Sequence, residues 1–340
     1  MSNNKAESLF AFGLGLGTHN KHGQWLEVYF PRPLLRPVDL EVSAFIEAFG
    51  YSGGQQSIRL NADQLHALAK VGPEYAAFAA TGRPVVAVFL ADDVEPTDVP
   101  DAYLRLHLLS HRMVRPGTIN MAGIFKVLPN VAWTNQGPVD VAELAELQLT
   151  CRTQGTPLSV SMIDKFPKMT DYVVPSGVRI ADASRVRLGA YLGSGTTVMH
   201  EGFINFNAGV EGPNMVEGRV SSSVWVGAGT DLGGGSSTMG VLSGGNNIPI
   251  SLGKNCLLGA NAGLGIPLGD DCTIEAGLYL TAASKVRILN RDGQITRTMK
   301  ALELAGRSGL LFRRNSQDGA IECLPNKKSI ELNADLHSHN

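Results

Sequence analysis

A six-residue repeat of aliphatic residues, spanning about residues 178–287, constrains the fold more than any other feature of the sequence. A period of six fits neither the 3.6-residue turn of an α-helix nor the two-residue alternation of a flat strand. Glycine, frequent here, costs roughly 1 kcal/mol per residue in a helix. The repeat therefore predicts a mainly β fold, a solenoid whose short strands meet at corners with the aliphatic residues inside. Its members are Ile180, Val186, Leu192, Val198, Ile204, then Val220, Val226, Leu232, then Leu252, Leu258, Leu264, and finally Leu268, Ile274, Leu280 and Val286.

The residues before the repeat predict two further regions. Residues 1–105 form an N-terminal α/β domain, because strand-like runs at 25–30 and 84–91 alternate with helical spacing at 41–50 and 61–72. Residues 106–177 form a helical connecting region. Its predicted helices cover 102–114 and 139–155. The "GLGLG" run at 13–17 lacks the spacing of a dinucleotide-binding loop.

Residues 288–340 predict a small C-terminal cap on the solenoid. A hairpin turns at Asp292-Gly293 and a short helical piece follows it. A second strand pair and a polar end complete the tail from residue 310.

Charge and cysteine usage exclude several classes of protein. The net charge is -2 and the sequence contains no Lys/Arg-rich block, so neither nucleic acid nor an acidic membrane is expected as a partner. No run of about 18 apolar residues and no secretory leader is recognisable, which predicts a cytoplasmic protein. Four cysteines in unrelated contexts, without zinc-type spacing, predict buried thiols in a reducing compartment: Cys151, Cys256, Cys272 and Cys323.

The repeat is expected to break near 209–219 and 238–251, and breaks in a solenoid form loops that group binding residues on one face. The first break follows His200 and Glu201 and includes Glu217, with Arg219 at its end. The second belongs to the polar run "DLGGGSSTMGVLSGGNN" at 231–247, which predicts a Gly/Ser loop. Glu217 and Arg219 are either site residues or a surface ion pair.

Several long motifs carry a resemblance to a known family. They include "KFPKMTDYVVPSGVRIADASRVRLGAYLGSGTTVMHEGFINFNAG", "MVEGRVS", "DLGGGSSTMGVLSGG", "LLGANAGLGIPLGDDC", "EAGLYLTAASKV" and "LLFRRNSQDGAIE". Together they resemble the 2,3,4,5-tetrahydropyridine-2,6-dicarboxylate N-succinyltransferases, acyl-CoA-dependent enzymes of the hexapeptide-repeat class. The resemblance implies a left-handed parallel β-helix, a homotrimer with active sites between subunits, and succinyl-CoA as co-substrate with no tightly bound cofactor. The acceptor would be the amine of L-2-amino-6-oxopimelate, in diaminopimelate and lysine biosynthesis.

The resemblance also assigns roles to individual positions of this chain. It implies that Glu217 is the catalytic carboxylate and that Arg219 contacts succinyl-CoA. Further donor contacts are implied at Gly234, Ser237, Ala260, Glu275, Ala276, Ala283, Lys300, Arg313, Arg314, Asn315 and Ser316.

The chain departs from the family pattern at two places. Ala283 stands where some members have glycine, and Ser184 replaces an acidic residue that serves some members as a magnesium ligand. Glu201 is the remaining implied Mg²⁺ ligand, and one carboxylate is a poor set for an ion that requires several oxygen ligands.

Aminolysis of a thioester requires a neutral amine and a group that accepts its proton. Glu217 fits that role, either as a general base or as a nucleophile that first takes the succinyl group as an anhydride. Both substrates are anionic, so Arg219, Arg313 and Arg314 are candidates to bind their negative charges. The alternative for Arg313 and Arg314, which are adjacent in the sequence, is that they are solvated residues of the tail without a binding role. His200 is either a second candidate base or a polar residue of the coil surface. The alternative functions are an acetyltransferase acting on another small amine or hydroxyl, and a non-catalytic scaffold.

Overall fold

The computed structural model describes residues 9–241 and 248–326. The first eight residues, the middle of the predicted Gly/Ser loop and the predicted polar end lie outside the described residues. Two compact units are present: the described residues of Met1–Leu108 with Ile119–Pro167, and those of Leu109–Thr118 with Lys168–Asn340. No helix in 9–241 or 248–326 combines the length and apolar character needed to cross a membrane.

The first unit contains an antiparallel sheet with strand order β2-β1-β5-β4, in which β3 also pairs with β1. The strands are β1 Ala11–His19, β2 Trp25–Tyr29, β3 Leu34–Leu35, β4 Gln56–Arg59 and β5 Val85–Leu90. The helices are α1 Asp39–Phe49, α2 Ala62–Val71, α3 Ala76–Ala79 and α4 Val99–Ser110, with a 3-10 turn at Pro73–Tyr75. Both strands and both helices predicted for residues 1–105 are confirmed.

The "GLGLG" run lies within β1, in the middle of this sheet. Leu14 belongs to the core with Phe12, Phe45 and Phe89. A Cβ at Gly15 would lie 2.5 Å from Val28 Cγ1 and 2.8 Å from Phe30 Cε1. The glycines are therefore needed because neighbouring side chains pack directly on the backbone of the strand.

The helical prediction for 106–177 is only partly right. Helix α4 begins before the predicted 102–114 and ends at Ser110, and the predicted helix at 139–155 is shortened to α6 Leu144–Thr153, with α5 Ile124–Val127 before it. The segment also contains a three-stranded antiparallel sheet in the order β7-β6-β8, made of β6 Val131–Thr134, β7 Gly137–Asp140 and β8 Val160–Asp164. These strands have four or five residues, too few for their period to stand out beside helical spacing.

The second unit is a parallel β-helix with three sheets. Sheet I contains β9 Arg179–Ile180, β11 Thr196–Val198, β14 Asn214–Val216, β17 Asp231–Leu232, β20 Leu257–Leu258 and β22 Thr273–Ile274. Sheet II contains β12 Phe203–Ile204, β15 Arg219–Val220, β18 Ser237–Thr238, β21 Gly263–Gly265 and β23 Tyr279–Thr281. Sheet III contains β10 Tyr191–Leu192, β13 Gly209–Val210, β16 Trp225–Val226 and β19 Ser251–Leu252. Short 3-10 turns occur at Met169–Asp171 and Ala183–Arg185.

The predicted break at 209–219 is wrong in its extent. Val210 and Val216 continue the six-residue period after Ile204, and both are fully buried in strands. The irregularity is confined to the next corner, where Val220 follows Val216 after four residues instead of six. The polar residues around Val210 and Val216 hid the repeat, because they occupy corner positions whose side chains need not be apolar.

The predicted Gly/Ser loop at 231–247 also begins with regular structure. It contains β17 and β18, whose Leu232 and Thr238 are buried. The predicted break near 238–251 is confirmed by the described residues, because β18 ends at Thr238 and sheet III resumes at Ser251. Val241 pairs with Pro249 across it.

The C-terminal cap has the predicted elements. An antiparallel hairpin of β24 Lys285–Leu289 and β25 Ile295–Lys300 is followed by a 3-10 turn, Ala301–Leu304. A second antiparallel pair, β26 Leu310–Arg314 and β27 Ile321–Pro325, joins the cap to sheet I, because β26 pairs in parallel with β22.

Candidate active site

One edge of sheet I gathers half of the predicted site residues. Val216 pairs with Leu232, Leu232 with Leu258, Leu258 with Ile274, and Ile274 with Phe312. The residues that follow these five therefore stack at successive corners, about 4.8 Å apart. This site edge contains Glu217, Gly234, Ala260, Glu275, Ala276, Arg313 and Arg314.

Glu217 lies in the shortened corner between Val216 and Val220. Its backbone is fixed from both sides, because Glu217 N donates to Leu232 O (2.8 Å) and Gly235 N donates to Glu217 O (3.2 Å). A Cβ at Gly234 would lie 3.6 Å from Glu217 Oε2, so the carboxylate faces the next corner. Among the described residues no hydrogen bond or ion pair engages this half-buried carboxylate, which leaves it available to a substrate.

Gly218 makes the short corner possible. A Cβ there would lie 2.1 Å from Ser236 Oγ and 2.7 Å from Ser236 O, closer than packed atoms approach. Sequence reasoning did not single out Gly218. Its position between Glu217 and Arg219, with the repeat shortened by two residues, was the signal available.

Arg219 does not form the surface ion pair with Glu217 that the sequence left open. It begins β15 in sheet II, where its exposed side chain donates from Nε to Ser237 Oγ at 3.4 Å. Arg219 and Ser237 are also paired in register. The structure thus brings these two predicted residues together beside the corner of Glu217.

The far end of the site edge is basic. Arg313 Nε donates to Glu322 Oε2 (2.9 Å) and Asn315 Nδ2 donates to Glu322 Oε1 (2.7 Å). Glu322 is almost fully buried while the Arg313 side chain stays 45% exposed. Glu322 occupies Nε, and within 9–241 and 248–326 the two terminal nitrogens of Arg313 have no partner, so they are available to bind an anion.

Sequence reasoning did not identify Glu322, and a Glu within a tail strand carries no signal that would have found it. The strand register identifies Glu322, because Arg313 and Glu322 are directly opposite each other on β26 and β27.

Glu275 and Asn315 have structural partners within the site edge. Arg314 N donates to Glu275 Oε2 at 2.7 Å, which ties the corner after β22 to the end of β26. Asn315 Oδ1 accepts from Gln317 N (2.9 Å) and its Nδ2 is held by Glu322, so its side chain organises the turn. Of the remaining predicted residues, Ala283, Lys300 and Ser316 are exposed in the cap or the turn leading into it.

His200 and Glu201 occupy the corner one coil before Glu217, since Val198 pairs with Val216. Both are well exposed, at 72% and 68%. Glu201 contacts two basic side chains, with Oε1 at 3.5 Å from His200 Nε2 and Oε2 at 3.7 Å from Arg185 Nη2. Within 9–241 and 248–326 no cluster of three or more His, Cys, Asp or Glu side chains could hold a metal. The donors that this chain places around Glu201 do not fit Mg²⁺.

Known proteins match this chain over nearly its whole length. The model of the tetrahydrodipicolinate N-succinyltransferase middle region matches residues 128–168, and that of the hexapeptide repeat of succinyl-transferase matches residues 249–282. A 2,3,4,5-tetrahydropyridine-2,6-dicarboxylate N-succinyltransferase of Pseudomonas paraeruginosa is 57% identical over 343 residues, covering 98% of this chain and 100% of that protein. A protein of the same name from Vibrio cholerae is 54% identical over 340 residues, covering 97% and 99%.

A solved structure from Campylobacter jejuni is also similar. It is described as a 2,3,4,5-tetrahydropyridine-2-carboxylate N-succinyltransferase, and it matches with a TM-score of 0.87 at 32% identity. The match covers 96% of this chain and 95% of that one.

Proposed function

Because the chain belongs to the tetrahydrodipicolinate N-succinyltransferase family, we propose that it transfers succinyl from succinyl-CoA to the amine of L-2-amino-6-oxopimelate, the ring-opened form of tetrahydrodipicolinate. The products are N-succinyl-L-2-amino-6-oxopimelate and CoA, in the diaminopimelate route to lysine. The carboxylate of Glu217 has no partner among the described residues and lies at one end of an edge whose other end is basic. This is the observation that best supports the assignment.

Glu217 is the proton acceptor of the reaction. The amine nitrogen attacks the thioester carbonyl, a C–N bond forms, the C–S bond breaks, and CoA leaves as its thiolate. Glu217 takes the proton that the nitrogen loses, which a carboxylate without a competing cation can do once the amine lies within hydrogen-bonding distance. The alternative route keeps the same residue and makes it the nucleophile, with a succinyl anhydride formed before the amine attacks.

The rest of the edge binds the donor. Gly234, Ala260 and Ala276 carry small or absent side chains, so an extended ligand can approach the backbone of successive corners. Arg219 and Ser237 lie beside Glu217, where they can bind a substrate carboxylate. Arg313 and Arg314 lie four strand spacings from Glu217, roughly 19 Å away, where they can bind the phosphates of CoA. Glu275, Lys300, Asn315 and Ser316 frame that end, and Ala283 lies in the turn before the cap.

The assembly belongs to the same proposal. The β-helix is left-handed, three copies form a homotrimer in the cytoplasm, and each site lies between neighbouring subunits. The free state of all four cysteines is compatible with a reducing compartment. Light scattering tests the trimer, and mixing two variants that are inactive through different site residues tests the shared site. Recovery of activity on mixing requires sites that combine residues from two subunits.

The central experiment measures CoA release with a thiol reagent. Wild type and Glu217→Gln are compared with succinyl-CoA or acetyl-CoA, with and without tetrahydrodipicolinate or 2-aminopimelate as acceptor. We expect succinyl-specific, acceptor-dependent release that is lost in Glu217→Gln. Release that prefers acetyl-CoA would support an acetyltransferase instead, and no release with either donor would support a scaffold.

A second experiment separates the two roles of Glu217. Succinyl-CoA without acceptor should leave a succinyl adduct on Glu217 if the anhydride route operates, and mass spectrometry after acid quenching would detect it. Strictly sequential kinetics without an adduct would support general-base catalysis. His200→Gln tests the other candidate base, and we expect it to remain active because the His200 side chain lies a coil away and contacts Glu201.

A further inference from the structure

Two lysines of the C-terminal cap are directly opposite each other on its first hairpin. Lys285 begins β24 and Lys300 ends β25, and the two are directly opposite in the antiparallel register. Opposed residues point to the same face of a strand pair. Both are exposed, and among the residues in 9–241 and 248–326 neither ammonium group has an ion pair or hydrogen-bond partner. Arg287, on the same face, differs because Asp318 neutralises it at 2.5 Å.

Such a pair is unfavourable in the isolated chain. Like charges directly opposite each other on a strand pair destabilise it, and a carboxylate at either position would remove the repulsion. The arrangement becomes favourable when an anion binds between the two ammonium groups, because each lysine then donates a charge-assisted hydrogen bond.

The pair lies at the end of the sheet where the site edge ends. The strand order there is β25-β24-β27-β26-β22. Ile321 is opposite both Val286 and Arg314, so the beginning of β24 and the end of β26 share one row. Only β27 separates them, and Glu322 on β27 is opposite both Arg287 and Arg313. Lys285, two residues before Arg287, therefore shares a face with Arg313 and lies about 12 Å from its backbone. The lysine pair therefore extends the basic end of the site edge.

We infer that Lys285, together with Lys300, binds a phosphate group at the nucleotide end of the acyl donor. This rests on the proposed function, since the acyl end of the donor must reach Glu217 and its phosphorylated end then lies at the cap. The resemblance assigns Lys300 a donor contact but gives Lys285 no role. The register makes the two lysines one site, and Arg313, which lies on the same face of the sheet, binds the remaining phosphate charge of the same ligand.

The test is Lys285→Met, with Arg297→Met as the matched control. Arg297 is exposed on the same hairpin, but it is opposite Ile288 and so points to the other face. We expect Lys285→Met to raise the KM for succinyl-CoA about tenfold with kcat within about twofold. Arg297→Met should change neither constant by more than about twofold. Lys285→Arg should keep most of the affinity.

Binding of adenosine 3′,5′-bisphosphate, measured by calorimetry, gives a readout that does not depend on transfer. We expect weaker binding to Lys285→Met and unchanged binding to Arg297→Met. At low salt the melting temperature of unliganded Lys285→Met should equal or exceed that of wild type, because the repulsion is gone, while the rise caused by the bisphosphate should shrink. A merely structural role would lower the melting temperature instead.

The possible failures are distinguishable. Equal bisphosphate binding by Lys285→Met and wild type would overturn the inference, even with succinyl transfer intact. Equal weakening by Arg297→Met would also overturn it, because the effect would then come from the general field of the hairpin. Absence of succinyl transfer together with Lys285-dependent bisphosphate binding would contradict the proposed function and leave the phosphate site standing.

Discussion

Two columns of residues run along the same strands of sheet I, and they differ completely in character. The inner column is aliphatic and at most 1% exposed: Val198, Val216, Leu232, Leu258 and Ile274. The residues one position later are Met199, Glu217, Gly233, Gly259 and Glu275, which share neither size, charge nor polarity. Each inner side chain must pack against those above and below it, whereas a corner side chain points outward. The solenoid can therefore carry chemistry at its corners without changing its core.

The largest expected effect separates chemistry from packing at one corner. Glu217→Gln keeps the shape of the side chain but removes the proton acceptor, so we expect kcat to fall by about 10²- to 10⁴-fold. The melting temperature should stay within about 2 °C of wild type, because the carboxylate has no hydrogen-bond or ion-pair partner among the described residues. Initial rates and a thermal melt check both expectations.

Glu47→Gln is the control for this change. Glu47 is exposed on α1, in the other compact unit, and the same substitution there should leave kcat unchanged. Full activity of the Glu217→Gln variant would show that another residue accepts the proton. His200 and Glu201 are the next candidates along the edge.

The inner column should show the opposite behaviour. Leu258→Ala leaves a cavity between neighbouring coils, and we expect it to lower the free energy of unfolding by about 2–5 kcal/mol. The KM of the remaining folded protein should change little. Denaturant titration measures the loss, and a value below about 1 kcal/mol would mean that the coils can collapse around the missing side chain.

Gly218 directly follows Glu217 and packs against Ser236 of the next coil, so its substitution should affect both stability and activity. Gly218→Ala forces a Cβ against Ser236 Oγ and the Ser236 carbonyl, and we expect a loss of about 1–3 kcal/mol in stability with a reduced kcat. Gly82→Ala is the matched control, because nothing lies within 4 Å of a Cβ there. If Gly218→Ala behaves like Gly82→Ala, the short corner is not tightly packed.

The smallest expected effect concerns the buried thiols. Burial raises the pKa of Cys323 to about 11. The pKa of Cys256 is also raised, first by the hydrogen bond between Cys256 and Cys272 and then by burial. Thiolates are the reactive species, so at pH 8 Cys256 and Cys323 of the native protein should react with a thiol reagent far more slowly than the same residues in denatured protein. Time courses with and without denaturant check this. Rapid reaction of Cys256 or Cys323 in the native protein, located by mass spectrometry, would show that the coils open readily.

Much of the β-helix was predictable because its inner column obeys a fixed period that tolerates few residue types. The cap hairpin was predictable for a related reason, since Asp292-Gly293 has a strong turn preference. The continuation through Val210 and Val216 was missed because corner residues may be polar and therefore obscure the period. The strand Ala11–His19 was missed because glycine usually disfavours strands, and the packing of Val28, Phe30 and other side chains against its backbone explains the exception.

The candidate site was predictable at its corners but not across its strands. Glu217 and Arg219 stood out as charges within a glycine-rich scaffold, and the family motif pointed to Arg313. The hydrogen bonds of Glu322 depend on which residues of β26 and β27 are opposite each other, and register is a tertiary property that no local pattern encodes. The sequence also could not show that Glu217 and Arg219 are separated. A corner lies between them and turns the two side chains to different faces.

The stacked corners also fix the length of this edge. Each added coil lengthens it by about 4.8 Å, so the number of coils between Glu217 and Arg313 sets how far apart the reacting end and the anchored end of a donor can be. Donors whose arm is too short or too long would be held firmly at one end and miss the carboxylate at the other. Selection for the length of the acyl carrier would then reside in the count of repeats and not in any single side chain.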